Sequence, residues 1–418
     1  MSSNEKSLGL SSRPAAEAYI SKVCFKQGPP ALIGVELEWL TALDDGTRPT
    51  LSALSAALGV HSPRSLDPRS PALTLPGGSI VTVEPGGQVE LSSSPCTSVS
   101  RLEPMLDADA RLLHDLLADA GITILAAAAD VDRAPERLLT LPRYCAMETR
   151  FTTIGPYGKL MMCSTAAAQV SVDAGRDRAE IGARWRMLHV IGPAFVAAFA
   201  RSPKLAGAPA GNWVSQRMRT WLELDSSRTD STRTIASDTA DPIAEYARWA
   251  LDVPLLCIQG VTQNWEAPAG TTFAHWLDDP DVVGRPPTYG DLDYHLTTLF
   301  PPVRACGHLE IRYLDAQPDG QWAVPAAAFE ALLSTPQLVA RATEIGAETA
   351  GRWLDAARVG LADRDLRTAA TELLNLAAES SGEYAEQLSA ASRRCRSGLP
   401  PSEFDARSAA FESRKESV

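Results

Sequence analysis

The sequence predicts an α+β fold: a curved antiparallel β-sheet with the functional residues on its concave face, helices packed on the outside, and a helical C-terminal third. Three observations predict it. Apolar and polar residues alternate in several short segments, the period of a half-buried strand. Pro85-Gly86-Gly87 joins two of those segments, and proline with glycine supplies the φ values of a tight reversal. From about Ala323 to Cys395 the chain is rich in Ala, Leu, Glu and Arg at helical spacing, which reads as a layer covering the sheet.

Taken in order, residues 1–13 are polar and expected to be disordered, 14–399 to form one α+β domain with its helical part from about 323, and 400–418 to be a flexible tail. In Ala31–Leu40, Ile33, Val35, Leu37 and Trp39 alternate with Gly34, Glu36 and Glu38, which predicts a strand with two acids on its polar face. Leu51–Leu58 reads as a short helix. Gly77–Pro95 reads as a hairpin whose arms are Ser79–Glu84 and Gln88–Ser92, with Glu84 and Glu90 at its mouth. Ser100-x-x-Glu103 has the form of a capping box and opens a helix that Gly121 stops. Ile122–Ala129 is a short apolar strand, and Arg143-Tyr144-x-x-Met147 falls on a short helix. Leu160–Ala174 reads as a strand with Gln169, Ser171 and Asp173 on one face. Ile181–Ala200 is a core helix, and Ser215–Thr229 an amphipathic helix followed by a turn. In Gly307–Ala316, His308, Glu310 and Arg312 share one face opposite Leu309, Ile311 and Tyr313.

Composition narrows the class. The 418 residues are 45% hydrophobic and 22% charged, ordinary for a globular chain with a large core. A net charge of −12 argues against nucleic acid or an anionic membrane as partner. The polar N-terminus has no secretion signal, and no apolar run approaches a membrane span. Seven scattered cysteines without a CxxC pair read as reduced thiols of a cytoplasmic protein.

Strand-like segments therefore bring hard oxygen ligands to one face: Glu36 and Glu38, Glu84 and Glu90, Gln169, and Glu310, with Arg312 beside them. In one sheet these acids would converge on a surface that needs cations. Mg²⁺ or Mn²⁺ takes carboxylate and amide oxygens, and such ions with an arginine can clamp nucleotide phosphates. Neither a P-loop nor a Rossmann glycine pattern is present, so ions would hold the phosphates. Each glutamate singly also reads as a solvated or ion-paired residue, and pattern alone leaves both readings open.

At these residues the sequence resembles the plant-type glutamate–cysteine ligase family, part of the group related to glutamine synthetase. The resemblance is carried by GVELEW (34–39), VEPGGQVELSSSP (83–95), RYCAM (143–147), LMMCSTAAAQVSVD (160–173), Trp221-x-x-x-Asp225-x-x-Arg228-Thr229, ALDVP (250–254), TFAHWLDD (272–279) and HLTTLFPPVRACGHLEIRYLDA (295–316). It spans roughly Ile33–Ala316, and the EPGGQ and ELS motif is specific. Within the family the chain is most similar to the actinobacterial branch that makes γ-glutamylcysteine for ergothioneine.

The resemblance implies a reaction. ATP phosphorylates the γ-carboxylate of L-glutamate, the amine of L-cysteine attacks the acyl phosphate, and phosphate leaves. It implies Glu36, Glu38, Glu84, Glu90, Gln169 and Glu310 as metal ligands, with Glu84, Glu310 and Arg312 at the chemistry. Arg312 would steady the transferred phosphoryl group. Arg228 would hold a substrate carboxylate through its planar fork, with Thr229 beside it and Trp221 walling the pocket. One departure stands out: the resemblance implies a basic residue at or near Ser164, and Cys163-Ser164 offers none. Two alternatives stay open, a γ-glutamyl ligase for another amine and a non-catalytic paralogue that binds glutamate or nucleotide.

Overall fold

A computed structural model describes residues 8–28, 31–229, 241–260 and 265–401. Seven strands form its sheet: β1 (Ile33–Leu43), β2 (Ile80–Val83), β3 (Val89–Ser92), β4 (Ile122–Leu125), β5 (Ala167–Val172), β6 (Val303–Ala305) and β7 (Leu309–Asp315). They lie in the order β2-β3-β1-β5-β7-β6, with β4 pairing the far end of β1. Every pairing is antiparallel. The α+β prediction holds, with helices on the outside.

Alternation decides which face is which. Val35, Leu37, Trp39, Val81, Val83, Val89, Leu91, Ile311 and Tyr313 are buried, and they belong to one large core. Behind them runs the Arg178–Phe199 helix, whose residues from Met187 to Phe199 are all buried. The Val99–Ala118 helix covers the hairpin through an apolar stripe of Val99, Leu102, Leu106, Leu113 and Leu117. The C-terminal region forms five helices, Ala323–Leu332, Pro336–Gly346, Trp353–Val359, Arg364–Ser380 and Ala385–Arg396, packed outside the Arg178–Phe199 helix or on one another.

Two side chains fasten the hairpin. Asp109 is 1% exposed and its carboxylate accepts the N–H groups of Gly77 (2.7 Å) and Ser79 (3.0 Å). Gln88, 2% exposed, accepts from Gly86 N–H through Oε1 (3.0 Å) and donates through Nε2 to the carbonyls of Thr165 (3.0 Å) and Met162 (3.3 Å). Gly86 allows the turn to come this close: a Cβ there would stand 2.3 Å from the carbonyl oxygen of Cys163. The PGGQ run is thus a docking device as much as a reversal.

The structure corrects several expectations. Leu160–Ala174 is not one strand, because the Tyr157–Ser164 helix takes its first half and β5 its second. The capping serine of the long helix is Ser98, whose Oγ accepts from Arg101 N–H at 3.3 Å; Glu103 accepts instead from the Tyr384 hydroxyl. Residues 8–13 belong to the described part, with Leu10 buried and Gly9 bridging Thr288. The rest of the expected N-terminal disorder, and the tail from 402, lie outside the described residues. All seven cysteines are free thiols. Among the described residues no single helix is long and apolar enough to cross a membrane.

Candidate active site

Register places the predicted acids on one face. Glu38 stands opposite Glu90, which stands opposite Thr82. Glu36 lies between Ser92 and Gln169. Glu310 lies between Ser171 and Arg304. Glu84 follows β2 directly and closes the turn, its N–H donating to the Gln88 carbonyl at 2.8 Å. Residues from opposite ends of the chain thus line one surface.

The acids are not equivalent. Glu310, 2% exposed, accepts Arg304 Nε–H (2.6 Å) and Nη2–H (2.9 Å) and Arg312 Nη1–H (2.7 Å). Burial alone would raise its pKa, but the two guanidinium groups win and hold it at about 2. Glu38 accepts from the N–H of Ala167 (2.9 Å) and from Gln169 Nε2 (3.1 Å), and Glu90 from the Thr82 hydroxyl (2.5 Å). Glu36 and Glu84 meet no donor among the described residues. Burial, then Glu90 and further acids, pushes Glu36 up to about 8 and Glu84 well above the usual carboxylate range. Burial and Glu38 raise Glu90 to about 7, and burial raises Glu38. Four carboxyls facing one another in a poorly hydrated site resist ionising together.

Do these residues suit a divalent ion? Among the described residues no three acidic, histidine or cysteine side chains already converge as a chelate. Glu310 is held by two arginines, so as a ligand it would have to share its oxygens with them. The donor set nevertheless fits a hard cation. Gln169 is 4% exposed and its Oε1 has no partner, while its Nε2 is used by Glu38. That orphan acceptor faces a group of acids of which two lack donors. A divalent ion satisfies all three kinds of oxygen at once.

The expected substrate residues separate. Trp221, 7% exposed, donates its indole N–H to the Phe300 carbonyl (2.9 Å), and its ring meets Arg312 Cζ at 5.1 Å. Its ring therefore lies beside the Arg312 guanidinium. Arg228 is not presented to the acid face. It is 0% exposed and its guanidinium is consumed by Asp225 (2.9 Å), the Thr298 carbonyl (3.0 Å) and the Pro254 carbonyl (2.8 Å). Thr229 is 1% exposed and donates to the Asp225 carbonyl (2.9 Å). Together they clasp three segments, and Arg228's own carbonyl accepts from Phe300 N–H at 3.1 Å. Their reach into the site is through the placement of Phe300 and Trp221.

Sequence reasoning missed Arg304, Tyr144 and Arg217. Arg304 sits on a three-residue edge strand, and reading Cys306-Gly307 as a hairpin turn would have placed it opposite Glu310. Tyr144 lies on the Pro142–Ile154 helix, near enough to Glu84 that burial and that carboxylate both keep its phenol protonated. Ser164 is 0% exposed, so it faces no solvent. A cavity of about 290 Å³ runs from Glu36 past Gly34, Ser93 and Ser171 to His308.

The chain that carries this acid-lined antiparallel sheet with its paired arginines belongs to a ligase family, glutamate–cysteine ligase family 2, whose pattern matches residues 32–407. Among its relatives, the glutamate–cysteine ligase EgtA of Mycolicibacterium smegmatis is 39% identical over 381 residues, 88% of this chain and 85% of that protein. EgtA of Mycobacterium tuberculosis is 38% identical over 371 residues, 87% of this chain and 82% of that one. The chloroplastic glutamate–cysteine ligase of Brassica juncea is more distant, 30% identical over 246 residues, 58% of this chain and 47% of the relative. A solved glutamate–cysteine ligase from Francisella tularensis, in complex with AMP, shares the fold with a TM-score of 0.51 at 13% identity, covering 89% of this chain and 83% of that one.

Proposed function

We propose that this chain is an ATP-dependent glutamate–cysteine ligase that forms γ-glutamylcysteine. The observation that carries this is the single polar face on which Glu36, Glu38, Glu84, Glu90 and Gln169 meet the Arg304–Glu310–Arg312 group. It occurs in a chain that matches proteins named glutamate–cysteine ligase over more than four-fifths of their length.

The glutamate γ-carboxylate attacks the γ-phosphorus of ATP, and the bond to the β-bridging oxygen breaks to release ADP. The cysteine amine then attacks the acyl carbon of γ-glutamyl phosphate, loses a proton, and expels inorganic phosphate. Arg312, whose Nε–H meets no acceptor, is the group available to the transferring phosphoryl. Glu310 holds Arg312 and Arg304 side by side, so two positive charges stand at the end of the acid face. Mg²⁺ or Mn²⁺, when bound, would be held by Glu36, Glu38, Glu84, Glu90 and Gln169, with Glu310 at the arginine end, and would neutralise phosphate charge. The Trp221 wall, with Phe300 behind it, shields the acyl phosphate from water.

An ATP-consuming enzyme with seven free thiols is proposed to work in the reducing cytoplasm, its product feeding ergothioneine assembly. The test is ADP release by pure protein with Mg²⁺, read with each amino acid withheld in turn. Release that requires both glutamate and cysteine, with the dipeptide seen by mass spectrometry, is the expected result. Cysteine turning over no better than alanine or a diamine would replace it with the other-amine alternative.

A further inference from the structure

The strand that carries Arg312 is broken where Arg312 sits. Pairing of β5 with β7 runs Val170↔Ile311 and then Ala168↔Leu314, so one extra residue is accommodated across Arg312 and Tyr313. A β-bulge re-aims a side chain but takes backbone groups out of the ladder. Arg312 N–H is recovered by the Pro302 carbonyl on the other side, at 2.9 Å. Its carbonyl is taken by the side chain of Arg217, whose Nη2–H donates at 2.8 Å.

Arg217 is a costly choice for that task. It belongs to the Gln216–Leu224 helix and is 2% exposed. Among the described residues its Nη1–H meets only the weakly accepting Met218 sulfur, at 3.4 Å. Asp315 and Glu38 act on it only through space, and burial dominates, lowering its pKa. A buried cation without a bonded carboxylate is unfavourable unless something depends on it. The same guanidinium also meets Trp221, with Cζ 5.5 Å from the ring centre, while Arg312 meets that ring at 5.1 Å. The Trp221 ring is itself pinned by its N–H bond to the Phe300 carbonyl.

We infer that Arg217 is a positioning residue for the reaction: it closes the β7 bulge at the Arg312 carbonyl and, through Trp221, sets the plane of the Arg312 guanidinium. This rests on the role given above to Arg312. Arg217, 2% exposed, is assigned no contact with substrate. It acts by fixing both ends of Arg312, backbone and guanidinium, so that the free Nε–H edge does not have to be ordered at the moment of transfer.

The test is a double-mutant cycle on the full chain with ATP, glutamate and cysteine. Arg217→Met is expected to lower kcat on the order of 10–100-fold, the scale of a misplaced catalytic group, with both amino-acid KM values nearly unchanged. Arg217→Lys, which keeps the charge and one donor, is expected to recover part of the loss. It carries the same comparison if the methionine variant fails to fold. In an Arg312→Lys background the Arg217 substitutions should cost little more. Equal, additive losses in both backgrounds would overturn the positioning role while leaving Arg312 its own. An Arg312→Lys protein with full turnover would overturn the role of Arg312 and the inference with it.

Discussion

Gly86→Ala tests how the hairpin acids are held. An alanine Cβ at this position would stand 2.3 Å from the Cys163 carbonyl oxygen, 2.5 Å from its Cα and 2.7 Å from its carbonyl carbon. All three are backbone atoms, so no rotamer change relieves the clash. To reach ordinary contact at 3.4 Å the turn or the Tyr157–Ser164 helix must move by about 1 Å. Overpacking of this kind costs about 1–3 kcal/mol. The movement also breaks the geometry by which Gln88 ties the turn to Thr165 and Met162, and Glu84 is two residues away. A catalytic group misplaced by about 1 Å can lose about a hundredfold in rate. Turnover by ADP release should therefore fall by about that factor, while the thermal midpoint drops by only a few degrees. Gly46→Ala is the control: its φ is +81 but nothing lies within 4 Å, so it bears backbone strain without a clash at the site. Gly86→Ala with turnover within threefold of the parent would refute the docking of the turn against Cys163.

Three further predictions follow from the same face. Glu36 and Glu90 titrate at about 8 and about 7 in the folded chain against an ordinary 4.5, so the folded state binds more protons between those values. Their contribution to the stability of metal-free protein is therefore full below about 4.5 and is lost as pH rises through 7 to 8; melts in EDTA from pH 5 to 8 check this, and added Mg²⁺ should flatten the fall. Glu84→Gln removes a carboxyl that meets no donor, so it should abolish turnover while leaving the metal-free melting midpoint unchanged or higher. A lowered midpoint would show the carboxylate to be structural. Arg228→Met removes a fully buried guanidinium and leaves the part-buried Asp225 carboxylate and the Thr298 and Pro254 carbonyls without their donor, and should destabilise by about 3–5 kcal/mol. A selective rise in the glutamate KM with an unchanged melt would put Arg228 back in contact with substrate.

Much of this site was legible because its residues alternate. Glu36, Glu38, Glu90 and Glu310 announce themselves by sitting between apolar neighbours, and antiparallel pairing then brings them together whatever their separation in sequence. Gln169 was legible for the same reason, although the segment before it was not. LMMCS is apolar at every position but its last, and such a run suits a buried helix and a buried strand equally. Arg228 misled because its motif spacing says that the residue matters without saying which way it points. Full burial and three internal acceptors make it a clasp. Ser98 outdid Ser100 as the cap because Glu103 had a distant partner in Tyr384, a contact no local pattern can reveal. Arg217 was invisible for the same reason: its use depends on a bulge in a strand almost a hundred residues further along.

β7 enters the sheet between β5 and β6, and among the described residues it is the last strand the ribosome delivers. Until it arrives, the nascent chain holds Glu36, Glu38, Glu84 and Glu90 on strands that could already pair, but without the guanidinium pair that borders them in the finished protein. Mutual repulsion would keep that early sheet loose, and the final hairpin, Arg304 with Glu310 and Arg312, both closes the gap and supplies the missing positive charge. Arrival of the β6–β7 hairpin and completion of the acid-and-arginine face are thereby made the same event, with the C-terminal helices still to follow, so a chain that stops before Val303 lacks the positive side of that face.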